Sequence, residues 1–199
     1  MKNKLTGRIP KKGEKGYIAW QRRFNILLTA AMYLLAVGIY LLGYLTMHTN
    51  KNLWTVIAVL SILPASKNAV RMIMFLRVSP TREAFYERLA PIEKGLPVLY
   101  DLIFTTYEKA YVARALVYGG GNICVCSVES KDQAGKLTEH LESMIREKYS
   151  GLSVKVFTDE EAFFLRASEI LEHFGEKESG KKEGVDFSAL RRTIEAMVL

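Results

Sequence analysis

Few residues in this chain have the types and spacing for chemistry, and its two cysteines are the first to consider. Cys124 and Cys126 lie two residues apart in a segment that reads as a strand, so both thiols would point to one face. Zinc takes four ligands, and the sequence has no second cysteine pair and no His-x-x-x-His spacing. Glu169 and His173 are four residues apart on a predicted helix, without a third ligand near them in sequence. We therefore expect reduced, buried thiols and no metal or other cofactor.

Three charged residues form a second candidate site. Asp101 lies in the first predicted strand of the C-terminal domain, and Glu129-Ser130-Lys131 follows the third. The predicted order of helix, three strands, helix, strand and helix resembles the core of restriction-endonuclease-like folds, in which an Asp and a Glu-x-Lys hold a divalent cation. The resemblance implies a hydrolase with Asp101, Glu129 and Lys131 as catalytic residues. In a three-strand meander Asp101 and Glu129 would lie at opposite ends of the sheet, about 15 to 20 Å apart. This separation favours the alternative that Glu129-Ser130-Lys131 is only the end of a strand that leads into a capped helix.

Two windows near the N-terminus are too apolar and too long for the core helices of a soluble domain. Residues 24–47 carry no formal charge and would span about 36 Å as a helix, against a hydrocarbon core of about 30 Å. The second window starts at Leu53 and includes Lys67. The aliphatic part of this side chain can lie in hydrocarbon while its ammonium group reaches the headgroups. Ending the apolar part near Val70 gives about 27 Å, which is enough to span. The sequence thus predicts a transmembrane hairpin with spans at about 24–47 and 53–76.

The second span carries two sets of candidate contact residues. Lys67 and Arg71 are four residues apart and could bind an anionic lipid headgroup, while Asn68 could donate a hydrogen bond across the hairpin. Ordinary anchoring at the membrane interface is the alternative for the two cations. A stripe of small residues would let another helix approach closely. This stripe consists of Ser61, Ala65 and Ala69.

The charge distribution predicts the orientation of the hairpin. Residues 1–23 carry eight basic side chains and one acidic side chain, whereas the loop 48–52 carries only Lys51. Cytosolic segments of membrane proteins are enriched in Lys and Arg, so we expect a multi-pass protein of the cell membrane with both termini in the cytoplasm. Residues 79–199 contain 16 basic and 20 acidic residues, a net charge of −4, which disfavours nucleic-acid binding.

The chain after the hairpin reads as a small mixed α/β domain with a C-terminal helix. We expect a helix, a three-strand meander, a helix, a parallel strand and a helix. Capping-box patterns at Ser130 with Gln133 and at Thr158 with Glu161 predict the starts of the two helices that flank the parallel strand. The apolar stripe of the terminal helix needs a surface, either on its own domain or on a partner. The expected segments are a basic arm (1–23), the transmembrane hairpin (24–77), the α/β domain (79–174), a polar linker (175–185) and a terminal amphipathic helix (186–199).

These patterns favour an integral membrane protein that presents an interaction, scaffold or regulatory domain to the cytosol, without catalysis. Two alternatives stay open: a membrane-tethered hydrolase with a degenerate restriction-endonuclease-like core, and an accessory subunit of a transporter. The expected partners are a bilayer with an anionic inner leaflet and a protein, or a second copy, that contacts the second span or the helix at 186–199. Nucleic acid is not among the expected partners.

Overall fold

The computed structural model describes residues 9–49, 52–106, 109–174 and 187–198. The chain divides into two compact units. One unit, Ile18–Ser79, is a helical hairpin, and the other combines Met1–Tyr17 with Pro80–Leu199 in an α/β domain. The predicted linker at 175–185 lies outside the described residues.

The hairpin consists of α1 (Tyr17–Met47) and α2 (Leu53–Arg77). Helix α1 begins seven residues before the predicted span because the stretch after Gly16 contains no Gly or Pro that would interrupt it. By length and composition both helices can cross a membrane, since 31 and 25 residues correspond to about 46 and 37 Å. Most of their large apolar side chains are exposed, with Leu34 at 72% and Leu53 at 73%. Such a surface is unfavourable in water and suits hydrocarbon.

Asn52 organises the turn between the two helices. Its Oδ1 accepts a hydrogen bond from the Thr55 amide at 2.8 Å and so caps α2. Its Nδ2 donates to the carbonyl oxygens of Gly43 at 3.0 Å and Thr49 at 2.8 Å. A Cβ atom at Gly43 would lie 2.4 Å from the Cβ of Trp54, so this close approach of α1 to the start of α2 requires glycine.

The α/β domain is built on a four-stranded sheet of order β1-β2-β3-β4. Strands β1 to β3 pair antiparallel, and β4 runs parallel to β3. The predicted fold class is therefore confirmed: a meander, a crossover helix and a parallel strand follow the hairpin. The strands are β1 (Val98–Thr105), β2 (Ala110–Gly119), β3 (Asn122–Ser127) and β4 (Ser153–Phe157), and the helices are α3 (Glu83–Glu93), α4 (Lys131–Lys148), α5 (Glu160–Phe174) and α6 (Phe187–Met197).

Helices cover both faces of the sheet, and each face has its own apolar core. Helices α4 and α6 pack on one face, where alternate strand residues and helix residues are buried together; they include Leu102, Leu116, Val125, Leu137, Leu141, Leu190 and Ile194. Helices α3 and α5 pack on the other face, with a core that includes Phe85, Leu89, Val117, Cys124, Cys126, Phe163 and Ile170. The two-residue period of the strands explains why neighbouring residues belong to different cores.

Helix α6 docks on its own domain. Leu190 and Ile194 are fully buried in the core beneath it, and Val198 forms an isolated bridge with Phe104 at the edge of β1. Two surfaces were considered for the apolar stripe of α6, and in the structure this stripe packs on the sheet of its own domain.

The predicted capping box of α4 is wrong. Ser130 does occupy the N-cap position, but its side chain makes no capping hydrogen bond. The Gln133 side chain, expected to reach back to Ser130, accepts instead from the Lys109 Nζ at 2.8 Å. A donor with a full positive charge attracts this amide oxygen more strongly than a backbone amide does.

The predicted capping box of α5 is also wrong, by one residue. Asp159, rather than Thr158, caps the helix, and its Oδ2 accepts from the Ala162 amide at 3.1 Å. Asp is the stronger N-cap residue because its carboxylate also interacts favourably with the positive end of the helix dipole. Glu161 forms an ion pair with Arg88 of α3, with 2.7 Å between Oε1 and the guanidinium nitrogen.

Candidate functional site

Asp101 is a buried carboxylate with hydrogen-bond donors from three chain segments. It lies in β1 at 1% exposure and has a φ of +51°, a left-handed conformation that Asp tolerates better than most residues. Its Oδ2 accepts from the Gly16 amide at 2.9 Å and the Tyr86 hydroxyl at 2.8 Å. Its Oδ1 accepts from the Thr81 hydroxyl at 2.7 Å. We refer to Gly16, Thr81, Tyr86 and Asp101 as the Asp101 clasp.

The clasp joins the two segments that flank the hairpin. Gly16 immediately precedes α1, and Thr81 follows α2 by four residues. Gly16 has a φ of +78°, which glycine adopts freely, and this conformation directs its amide to the carboxylate. Burial is the main cause that raises the pKa of Tyr86, and the negative charge of Asp101 is the second. The phenol therefore keeps its proton and remains a hydrogen-bond donor.

The segment before α1 also covers the outer edge of β1. The Tyr100 amide donates to the carbonyl of Gly13 at 2.9 Å, and Lys12 Nζ donates to the carbonyl of Val198 at 2.6 Å. Lys15 forms an ion pair with Glu93 of α3. An edge strand exposes unpaired backbone groups, and these contacts satisfy part of that edge within the chain.

Glu129 and Lys131, the other two candidate catalytic residues, lie outside the clasp. The Glu129 carboxylate pairs with Lys109 Nζ at 2.8 Å and accepts from the Val112 amide at 3.4 Å, while Lys131 is the first residue of α4. The described hydrogen bonds of the Asp101 and Glu129 carboxylates go to different partners. The two residues do not lie at opposite ends of the sheet as predicted, because Leu102 pairs with Ala113 and Ala113 pairs with Ser127. In the described ranges no three His, Cys, Asp or Glu side chains are grouped to hold a metal ion.

The second-span candidates occupy different sides of α2. Ala65 is fully buried within the hairpin, and Ser61 and Ala69 are partly buried. Asn68 Nδ2 donates to the Met32 sulfur of α1 at 2.8 Å, a contact across the hairpin. The remaining candidates, Lys67 and Arg71, are exposed. Headgroup binding by these two cations remains a prediction.

A cleft between β4 and α5 was not predicted from the sequence. Its volume is about 570 Å³, and we refer to it as the β4–α5 cleft. The parallel pairing of β3 with β4 places Lys155 beside Cys124, and α5 contributes the facing wall. The polar residues that line the cleft are Asn122, Cys124, Ser153, Lys155, Arg166 and Glu169. They come from three elements, so only the strand register and the helix position bring them together.

Both cysteines are free and buried, and both belong to the core under α3 and α5. Burial raises the pKa of Cys126 to about 11. Burial also raises the pKa of Cys124, although the nearby cations Arg166 and Lys155 oppose this effect. The two thiols therefore differ in surroundings, because Cys124 also lines the cleft.

Comparisons with known proteins do not add a family to this geometry. No protein-family model, curated protein or solved structure matches the chain significantly. The likeness to restriction-endonuclease-like folds therefore rests on the order of elements and on the Glu129-Ser130-Lys131 motif.

Proposed function

We propose that this chain is a multi-pass protein of the cell membrane that presents a cytosolic interaction, scaffold or regulatory domain. In this proposal α1 and α2 span the bilayer, and both termini and the α/β domain lie in the cytoplasm. The exposed apolar surfaces of both helices support membrane insertion. The excess of basic residues before α1, compared with the single Lys in the 48–52 loop, supports the orientation.

The observation that carries the regulatory part of the proposal is the Asp101 clasp. A membrane anchor needs only one covalent connection to its domain, and that connection can be a flexible linker. Here the segment that enters the hairpin and the segment that leaves it are bound to the same buried carboxylate. This arrangement restrains both connections. It is suited to a domain whose conformation depends on that of the hairpin, or to a hairpin whose conformation depends on that of the domain.

The lipid partner in this proposal is an anionic inner leaflet. Lys67 and Arg71 are exposed at one end of α2, and the residues before α1 include further cations such as Lys11. Each basic side chain held near an anionic leaflet contributes about 1 kcal/mol to membrane attraction. These cations would hold the cytosolic ends of the spans at the headgroup layer.

The protein partner in this proposal contacts the exposed surface of the second span or of the domain. The small stripe of α2 and the apolar stripe of α6 are less suited to this role, because Ala65, Leu190 and Ile194 are already buried within the chain. The partner can also be a second copy of this chain, bound through the remaining faces of the spans.

Purification in a mild detergent, followed by mass spectrometry of companion proteins, tests the interaction role. We expect a companion in constant ratio to the chain, or a homo-oligomer of defined mass. The variant Asp101→Asn provides a comparison, since loosening the clasp should change the companion's recovery if the domain depends on the hairpin. A stable monomer without any companion would contradict the interaction role.

A further inference from the structure

The β4–α5 cleft has the size and lining of a small-molecule site. Its volume of about 570 Å³ falls within the range of about 300 to 1,000 Å³ that ligand sites occupy. Its floor is formed by β3 and β4 through Cys124, Lys155 and Phe157, and its wall by α5. The floor rests on the apolar core under α3 and α5, to which Cys124 belongs. The cleft is therefore supported by packed elements rather than by a loop.

The charges in the cleft favour an anion. Among the residues that the structure describes, Lys155 Nζ makes no ion pair with a carboxylate and lies 5.5 Å from the ring centre of Phe157. Arg166 bonds Glu169 through one guanidinium nitrogen at 2.8 Å, in an ion pair whose side chains are 43% and 46% exposed. Two cations and one carboxylate give the cleft a charge of +1, in a region, 79–199, whose net charge is −4. A cleft with a net positive charge attracts anions more than cations.

The apolar part of the lining points to a ligand with an organic body. Phe157 and Ala162 line the cleft beside Leu165, which is 67% exposed. In the described part of residues 80–198, Leu165 and Val128 are the only large apolar side chains classed as exposed. An exposed leucine next to an aromatic ring and two cations provides both parts of an amphipathic binding site.

We propose that the β4–α5 cleft binds a small organic anion, a phosphate or carboxylate on an apolar body. Lys155 and Arg166 hold the charged oxygens, and the planar guanidinium group of Arg166 can donate two hydrogen bonds to them. Phe157 and Leu165 pack against the apolar body. The site is independent of the membrane topology, so it can be tested separately from the function proposed above.

Protection of the Cys124 thiol by phenyl phosphate tests this site. The full chain carrying Cys126→Ala is placed in nanodiscs, and the modification rate of Cys124 by N-ethylmaleimide is measured by mass spectrometry. We expect phenyl phosphate to slow modification with a saturable dependence on concentration. Benzyl alcohol, which has the ring without the charge, should not protect. Inorganic phosphate, which has the charge without the ring, should protect at least 10-fold more weakly.

Variants of Lys155 and Arg166 distinguish ligand binding in the cleft from a general change in the reactivity of the Cys124 thiol. Lys155→Gln with Arg166→Gln should raise the phenyl phosphate concentration for half protection at least 10-fold. Because removing Arg166 also changes the intrinsic reactivity of the thiol, each variant is compared with its own rate without phosphate. Arg146→Gln, which removes an exposed cation of α4 outside the cleft, is the matched control and should leave half protection unchanged.

The lipid composition of the nanodiscs distinguishes a soluble ligand from a lipid headgroup. Protection by anionic lipid in the absence of phenyl phosphate, lost in the double variant, would identify a headgroup as the anion. Protection by phenyl phosphate alone would identify a soluble anion. Absence of saturable protection in both lipid compositions, or unchanged protection in the double variant, would overturn the proposal.

Discussion

At the scale of single residues, the Asp101 carboxylate links segments that are far apart in sequence. Hydrogen bonds to a charged acceptor contribute about 1.5 to 3 kcal/mol each, more than neutral ones, and a buried donor that loses its acceptor is costly. The carboxylate accepts from Gly16, Thr81 and Tyr86, so its removal would leave several donors in an interior with little access to water. We expect the clasp to be the most sensitive polar position of the domain.

Replacing Asp101 by Asn should lower the free energy of unfolding of the domain by about 3 kcal/mol. Asn also tolerates the left-handed backbone conformation, so the change isolates the lost negative charge and the new NH₂ group, which faces donors. A urea titration followed by circular dichroism, in one fixed detergent, measures the loss. A loss under about 0.5 kcal/mol, typical of a surface position, would contradict the clasp.

Two tyrosine variants compare a charge-assisted hydrogen bond with a neutral one. Tyr86→Phe removes the 2.8 Å bond to Asp101 and should cost about 2 kcal/mol. Tyr149→Phe removes a 3.3 Å contact with the Thr193 hydroxyl and should cost about 0.5 to 1 kcal/mol. The same urea titration measures both. Equal losses would show that the Asp101 charge does not strengthen the bond.

Cys126 should make the domain less stable at alkaline pH. Burial raises its pKa to about 11, above the value near 9 expected for the unfolded chain, so the folded state holds the thiol proton more tightly. This stabilising contribution is present below about pH 9 and is lost as the pH rises through 11, about 2 to 3 kcal/mol in all. Cys126→Ala should therefore lose less stability between pH 8 and pH 11 than the native chain. Equal losses, measured by urea titration at both pH values, would contradict this assignment.

At the scale of elements, the apolar patterns in the sequence predict most of the architecture. Long uncharged runs predict α1 and α2, and two-residue alternation with glycine turns predicts the meander, because burial determines both patterns. The helix starts are less predictable, since Thr158 and Asp159 are adjacent capping residues and only the local geometry selects Asp159. Position along the chain alone does not reveal which of two neighbouring capping residues is used.

The two sites differ in how much of them could be predicted. Asp101 was a candidate from its residue type, but its actual partners, Gly16 and Thr81, carry no motif and lie up to 85 residues away. The β4–α5 cleft depends on the parallel register that places Lys155 beside Cys124. Such contacts arise from tertiary structure, so local propensity and spacing do not encode them.

Helix α6 should contribute to the stability of the domain through its buried stripe. Ile194→Ala removes a fully buried side chain and should cost about 2 to 4 kcal/mol. Arg192→Ala, at an exposed position of the same helix, should change stability by less than about 0.5 kcal/mol. Urea titrations of both variants measure the difference. If Ile194→Ala were as mild as Arg192→Ala, α6 would not be docked on the domain in solution.

At the scale of the whole molecule, the chain divides into two units with different surfaces. The hairpin exposes leucine, valine and isoleucine along both helices, whereas in the described part of residues 80–198 only Val128 and Leu165 are large apolar side chains that are exposed. The charges follow the same division, with the basic excess before α1 and a net charge of −4 after α2. These two asymmetries together support a spanning hairpin with the domain on the cation-rich side.

The most direct test of this topology is labelling of single introduced cysteines with a membrane-impermeant maleimide. Thr49→Cys lies in the turn between α1 and α2, and Glu172→Cys lies at an exposed position of α5. Both variants are made in a chain that also carries Cys124→Ala and Cys126→Ala, and that cysteine-free chain provides the blank. We predict that intact cells label Thr49→Cys, whereas Glu172→Cys is labelled only after the membrane is permeabilised. Labelling of Glu172→Cys in intact cells, or protection of Thr49→Cys until permeabilisation, would contradict the account.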